Sequence, residues 1–233
     1  MKRSFVLSLA TLVGTMIGAG VFALPQAFAR VGLWLATLLF ALFTLLVAMT
    51  HSVYVDVVLG VEGSHRLPGY AQRFLGKRWA ALAMLTSVAQ GYGSHVIYLL
   101  LGGAFLQTSL FSTLSWGKPL GILLVFSLGA LSLLGGMKRV AKIEALATAC
   151  MVGLFILVSL FVARMPVATT TFAPHLSWTI FGLFLFALSG LPVISEVVEL
   201  NRRDRHASHR AVIWGTILAG VIMWSFAVVF ARM

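Results

Sequence analysis

The chemistry of this chain is concentrated in one run, Gly14-Thr15-Met16-Ile17-Gly18-Ala19-Gly20-Val21-Phe22-Ala23-Leu24-Pro25, which places three glycines in seven residues and then a proline inside one apolar segment. Each glycine weakens a helix, and proline removes a backbone donor. A helix interrupted there releases N–H and C=O groups from the helical ladder. Released N–H groups at the start of a half-helix suit a carboxylate, and released carbonyls suit an ammonium group or a cation. A second interruption follows far along the chain, in Phe184-Leu185-Phe186-Ala187-Leu188-Ser189-Gly190-Leu191-Pro192. Between them, two such breaks have the chemistry to hold a zwitterion.

The elements that must position these residues are membrane helices. The chain has 233 residues, 60% of them hydrophobic and only 10% charged, with mean hydropathy +1.01; a soluble domain carries roughly 25% charged residues. This excludes an ordinary soluble domain and predicts an all-α, polytopic membrane helix bundle. A net charge of +11 would suggest nucleic acid in a soluble protein, but here the basic residues sit in short clusters between apolar blocks. They read as topology signals, so the expected partner is the lipid bilayer and not nucleic acid. The single cysteine, Cys150, cannot close an intrachain disulfide.

Seven stretches lack Asp, Glu, Lys and Arg for long enough to hold a span of roughly 20 residues: 4 to 29, 31 to 55, 79 to 117, 119 to 137, 145 to 163, 165 to 195 and 211 to 231. The third could hold two cramped spans or one long helix followed by a polar loop. One helix puts 13 Lys and Arg inside against 4 outside, whereas two give 9 against 8. The positive-inside rule therefore selects seven spans, N-terminus in and C-terminus out. Lys2 and Arg3 before an apolar run mimic a signal peptide, but the run is too long and meets Pro25 instead of a small-residue cleavage site. Gly60 to Trp79 reads as a cytoplasmic loop with a short interfacial helix.

If the first helix begins near Ser4, Gly14 lies roughly 15 Å into a hydrocarbon core about 30 Å thick; from a start near Ser177, the Ser189-Gly190 pair is similarly deep. Both weak points fall near the midplane. Spans 1 and 6 cross in opposite directions on this topology, as corresponding elements of an inverted repeat do. Gly/Pro-interrupted segments in matching positions of two halves point to a transporter binding site, and an amino acid offers both charges that the breaks suit.

The run Gly14 to Pro25 resembles the first-span motif of amino acid permeases in the amino acid/polyamine/organocation superfamily. It is nearest the amino acid/auxin permease branch, which includes the bacterial tryptophan/tyrosine permeases. Leu67-Pro68-Gly69, Phe74-Leu75-Gly76 and Phe186-Ala187-Leu188-Ser189-Gly190 support the resemblance. It implies a five-plus-five inverted-repeat fold, with residues 1–163 as the first repeat and 164–233 as the first two spans of a second, incomplete one. It implies ion-coupled uptake across a bacterial inner membrane by alternating access, with H+ or Na+ as coupling ion and no other cofactor. Substrate would be held between spans 1 and 6 by Gly14, Thr15, Met16, Ile17, Gly18, Ala19, Gly20, Phe186, Ala187, Ser189 and Gly190. The family fold continues beyond span 7, so a companion chain or second copy is the expected source of further spans.

Span 3 carries Ser87, Gln90, Gly91, Tyr92, Ser94, His95 and Tyr98. Ser87, Gly91, Ser94 and Tyr98 recur at i, i+4, i+7 and i+11, so they share one helix face. That face either lines the cavity, with Gln90 and Ser94 touching substrate, or serves hydrogen bonding between helices. His95 and Glu196 are the candidates for coupling or gating; ion pairing with Arg202, Arg203 and Arg205 is the plainer role for Glu196 and Glu199. Asp56, His51 and Tyr54 read as interfacial, and His206 and His209 as solvated, with no metal site expected. Gly18-Ala19-Gly20-Val21-Phe22-Ala23 matches a dinucleotide-binding pattern, but no strand precedes it.

Rival functions fare worse. A retinal receptor needs a Schiff-base lysine in the last span, and 211 to 231 has none. Ser94 and His95 are adjacent, hence about 100° apart on a helix and unable to act as a hydrolase pair. The chain is expected to be no enzyme; the live alternative to a transporter is a non-transporting membrane scaffold.

Overall fold

The structure, a computed structural model, describes residues 2–63, 65–134 and 178–231, together with 146, 149–151, 153–155, 157, 158, 160 and 161. The regular elements among them are all helical. In chain order they are α1 (Lys2–Met16), a 3-10 turn (Ala19–Ala23), α2 (Leu24–Val31), α3 (Leu33–Leu59), α4 (Leu67–Leu75), α5 (Lys77–Ser109), α6 (Gly117–Leu134), α7 (Trp178–Ala187), a second 3-10 turn (Leu191–Val193), α8 (Ile194–Leu200) and α9 (Arg205–Phe230). Among the described residues, three helices are long and apolar enough to cross a membrane: Leu33–Leu59, Trp178–Leu200 taken through its break, and Arg205–Phe230. The bent pair Ser4–Met16 and Ala19–Val31 makes a fourth. The stretch 79 to 117 is one helix up to Ser109 followed by a loop, the single-helix alternative of the two. Of the expected fifth span, 145 to 163, the described residues are helical, and the start of the sixth, 165 to 177, falls outside the described residues.

The chain forms two compact units, one of Met1–Ala81 with Val152–Met233 and one of Leu82–Met151. This division differs from the division into repeats at residue 163: a repeat is a relation of sequence, a compact unit one of contact. The first unit contains both interrupted spans.

Its core is a set of close helix approaches. On α3, Ala36, Phe40, Thr44, Ala48, His51, Val55 and Val58 are buried, and their spacing of three and four puts them on one helix face. On α9 the buried face is rich in small residues, Ala211, Gly215, Ala219, Gly220 and Ala227. A Cβ added at Gly220 would lie 2.6 Å from Thr44 Cγ2, and one at Gly215 would lie 2.8 Å from Leu12 Cδ2. In lipid, helix association rests on such packing because hydrophobic exclusion does not discriminate between helix and acyl chain. Phe28, Phe40 and Phe184 knit α2, α3 and α7 together, with ring centroids 5.2–5.9 Å apart.

The far end of α3 is tied by polar contacts instead. Arg203 Nη2 donates to the carbonyls of Val58 (2.9 Å), Leu59 (3.3 Å) and Val61 (2.6 Å). It thereby satisfies carbonyls that the helix end leaves without donors, at the negative pole of the helix dipole. Arg202 and Arg203 adopt left-handed backbone, with φ of 54° and 59°. Asp204 then caps α9 by accepting from the Ala207 N–H at 2.6 Å.

The second unit is described by itself. Along α5 only Gly103 is buried, and Gly103 and Gly121 bring α5 and α6 together: a Cβ at Gly121 would lie 2.8 Å from the Gly103 carbonyl oxygen.

Candidate functional site

The first break begins where α1 runs out of ladder. Ile17 N–H still donates to the Val13 carbonyl at 3.0 Å, but Gly18 N–H donates to Met16 at 2.9 Å instead of reaching back to Gly14. The Gly14 carbonyl loses its helical donor. Val21 N–H donates to Gly18 at 3.2 Å and starts the 3-10 turn, and the two halves of the span meet at 49°. In the second break, Ser189 N–H donates to Phe186 at 3.2 Å, Gly190 stands at φ −136° and ψ −1°, and Val193 N–H donates back to Gly190 at 3.2 Å. Pro192 contributes no donor to the second 3-10 turn.

These interruptions pack on one another. A Cβ at Gly20 would sit 2.7 Å from the Ala187 Cα and 3.0 Å from its Cβ, so only glycine permits the backbone approach. A Cβ at Gly190 would lie 3.0 Å from Met16 Cγ, 3.1 Å from Leu12 Cδ1 and 3.0 Å from His51 Cε1. Further along, Asn201 Nδ2 donates to Ser8 Oγ at 2.9 Å. Residues 8, 12, 16 and 20 therefore face 201, 190, 190 and 187 in that order. As one index rises the other falls: the two broken helices run antiparallel.

This packing sorts the expected site residues. Met16, Ile17, Ala19, Gly20, Ala187 and Gly190 are buried between elements and shape the crossing. Thr15 is exposed, and Gly14, Gly18, Phe186 and Ser189 are partly accessible. Thr15 Oγ1 donates to the Thr11 carbonyl at 2.9 Å, satisfying its own donor within α1. Gly18, at φ −126° and ψ −155°, is extended, a conformation open to any residue, so its backbone angles do not require glycine.

Gln90, Ser94 and His95 lie on α5 in the other compact unit. Ser87, Gly91 and Ser94 are half-buried along one face, while Gln90, His95 and Tyr98 are exposed. His95 Nδ1–H donates to the Gly91 carbonyl at 2.7 Å, within its own helix. Glu196 and Glu199 are exposed and take no part in an ion pair among the described residues. Arg205 instead pairs with Asp56 at 2.9 Å, and Arg203 is engaged by backbone carbonyls. Among the described residues, no three His, Cys, Asp or Glu side chains gather as a metal site.

Two histidines depart from the sequence reading. His51 is not interfacial: it is 1% exposed, its Nδ1 lies 3.0 Å from Thr216 Oγ1, and its ring edge meets the second break. The α3 face at spacing three and four already placed His51 with Thr44 and Ala48, a signal available in the sequence. His209 is not simply solvated either. Its Nε2–H donates to Asp56 Oδ1 at 3.1 Å, and Nδ1 lies 2.7 Å from Ser52 Oγ; His206 is exposed as expected.

An all-helical bundle with apolar helices of membrane-crossing length and two interrupted spans crossing at glycine defines an integral membrane protein built around unwound backbone. Residues 1–230 match the family described as transmembrane amino acid transporter protein, and the chain belongs to that family. No curated protein and no solved structure matches the chain.

Proposed function

We propose that this family member is a secondary active amino acid transporter that works by alternating access, with substrate held at the crossing of the two breaks. The observation that carries the reading is the antiparallel packing of two interrupted spans, Gly20 on Ala187. Unwound backbone at that depth is tolerated where it lines a cavity, and such half-helix ends serve as ligands in transporters built from inverted repeats. The accessible groups at Gly14, Thr15, Gly18, Phe186 and Ser189 face the amino acid; the buried residues of the crossing hold them in place. Glu196 serves coupling to H+ or Na+, and Gln90, Ser94 and His95 of α5 are candidates for substrate contact and coupling to be tested by substitution. Neutral and aromatic amino acids are the first substrates to test, on the strength of the first-span motif.

The experiment is uptake of radiolabelled amino acids by the full chain in liposomes, under an imposed proton or sodium gradient. Ligand-induced thermal shift is measured alongside. Saturable, gradient-dependent uptake supports the reading. A monodisperse protein that none of the twenty amino acids stabilises or crosses with would instead be a scaffold.

A further inference from the structure

We propose that α4 and the first turn of α5 form a docking surface for the anionic phospholipid headgroups of the leaflet beside the end of α3. None of its residues is among those assigned to the transport site. α4 is pinned by one residue: Tyr70 is 2% exposed and packs edge-on against Tyr54 of α3 and His65, with ring centroids 5.8 and 5.6 Å away. Its other large apolar side chains are left exposed. Leu67 is 37%, Phe74 57% and Leu75 63% exposed, and Trp79 at the start of α5 is 56% exposed.

At 100° per residue, Tyr70, Phe74, Leu67 and Leu75 span one arc of α4, while Arg66 and Arg73, seven residues apart, share the flank beside it. Gly76, with φ 90°, makes the corner into α5, a conformation that side chains resist, and brings Lys77 and Arg78 directly after α4. Arg66, Arg73, Lys77 and Arg78 are all exposed, and among the described residues none forms an ion pair. The nearby α3 is long and apolar enough to span the membrane and ends at Leu59. A short helix at that level, with an apolar arc and a flank of unpaired cations, matches acyl chains below and phosphodiester charge alongside. An acidic protein surface would match the cations but leave Phe74 and Leu75 without an apolar counterpart.

The test uses the purified full chain in neutral detergent, with native mass spectrometry to count bound dioleoylphosphatidylglycerol and dioleoylphosphatidylcholine. The expected preference for the anionic lipid is about ten-fold at about 0.1 M salt, falling towards two-fold or less at about 1 M, where charges are screened within about 3 Å. Arg66→Gln/Arg73→Gln/Lys77→Gln/Arg78→Gln should remove it, and Arg202→Gln/Arg205→Gln/Arg210→Gln should keep it. Equal binding of both lipids by the unaltered chain, or a preference the first variant retains, overturns the proposal. Should that variant misfold, a photoreactive phosphatidylglycerol decides: cross-links at residues 66–79 support the site, and cross-links only elsewhere overturn it. Capture of a polypeptide rather than lipid at Phe74 in native membranes also overturns it.

Discussion

Gly20 and Ala187 meet backbone to backbone, since a Cβ at Gly20 would stand 2.7 Å from the Ala187 Cα, well inside van der Waals contact. Even Gly20→Ala must push the two broken spans apart. Overpacking of this kind costs about 1–3 kcal/mol. The expected result is a lower unfolding temperature in detergent; an unchanged one shows that the crossing yields freely.

Gly18 should behave differently, because it is partly accessible and its backbone is extended. Gly18→Leu is expected to stay monodisperse while losing amino-acid-induced thermal stabilisation. Gly129→Leu is the comparison, as nothing lies within 4 Å of a Cβ there. Unchanged affinity in a well-behaved Gly18→Leu protein would remove the first break from the binding site.

The buried contact between His51 and Thr216 gives a third expectation. Several threonines, Thr11, Thr15, Thr44 and Thr50 among them, donate to the carbonyl four residues back, whereas the Thr216 hydroxyl meets His51. Thr216→Val keeps the shape and removes the bond, at a cost of about 1 kcal/mol. A double-mutant cycle with His51→Phe should give a coupling energy of similar size. A coupling near zero would mean that the two groups are merely adjacent.

Arg202 and Arg203 share left-handed backbone but only Arg203 caps α3. Arg202→Gly should relieve strain and stabilise by about 0.5–1 kcal/mol, set by the left-handed penalty less the entropy glycine adds to the unfolded chain. Arg203→Gly should destabilise, because loss of a charged donor to three part-buried carbonyls outweighs the same relief. Unfolding in mixed micelles with sodium dodecyl sulfate measures both; equal effects would contradict the capping role.

Arg203 reaching Val58 to Val61, and Arg205 reaching Asp56, require residues 56–63 and 201–209 to lie on one side of the membrane. With Cys150→Ser as background, Glu62→Cys and His206→Cys, both exposed positions, should react from the same face. The positive-inside rule gives the expectation that this face is the cytoplasmic one. Ser208 is a poor reporter, being 0% exposed. Labelling of the two positions from opposite faces would break the topology.

The positions of both breaks were legible because glycine and proline act locally, on the backbone that carries them. Which glycine is squeezed was not: Gly14, Gly18 and Gly20 look alike in sequence, and only the partner helix distinguishes the crossing residue. His51 was misread for a related reason. Its distance from the end of the apolar block suggested an interface, but burial follows the helix face, and that face turns towards α9. The pairing of Asp56 with Arg205 and His209, in place of Glu196 with the same cluster, depends on a contact between residues about 150 positions apart, which no local pattern encodes.

Under the proposed alternating access, the crossing at Gly20 would act as a fulcrum. The contact at Gly20 is backbone against Ala187, so a change of angle between the broken spans scarcely moves the point itself. The clasp between Ser8 and Asn201 sits eight residues back along α1 from its end at Met16, roughly 12 Å down the lever arm. A tilt of about 15° about that end would carry Ser8 about 3 Å, enough to part a hydrogen bond of 2.9 Å while the pivot stays closed.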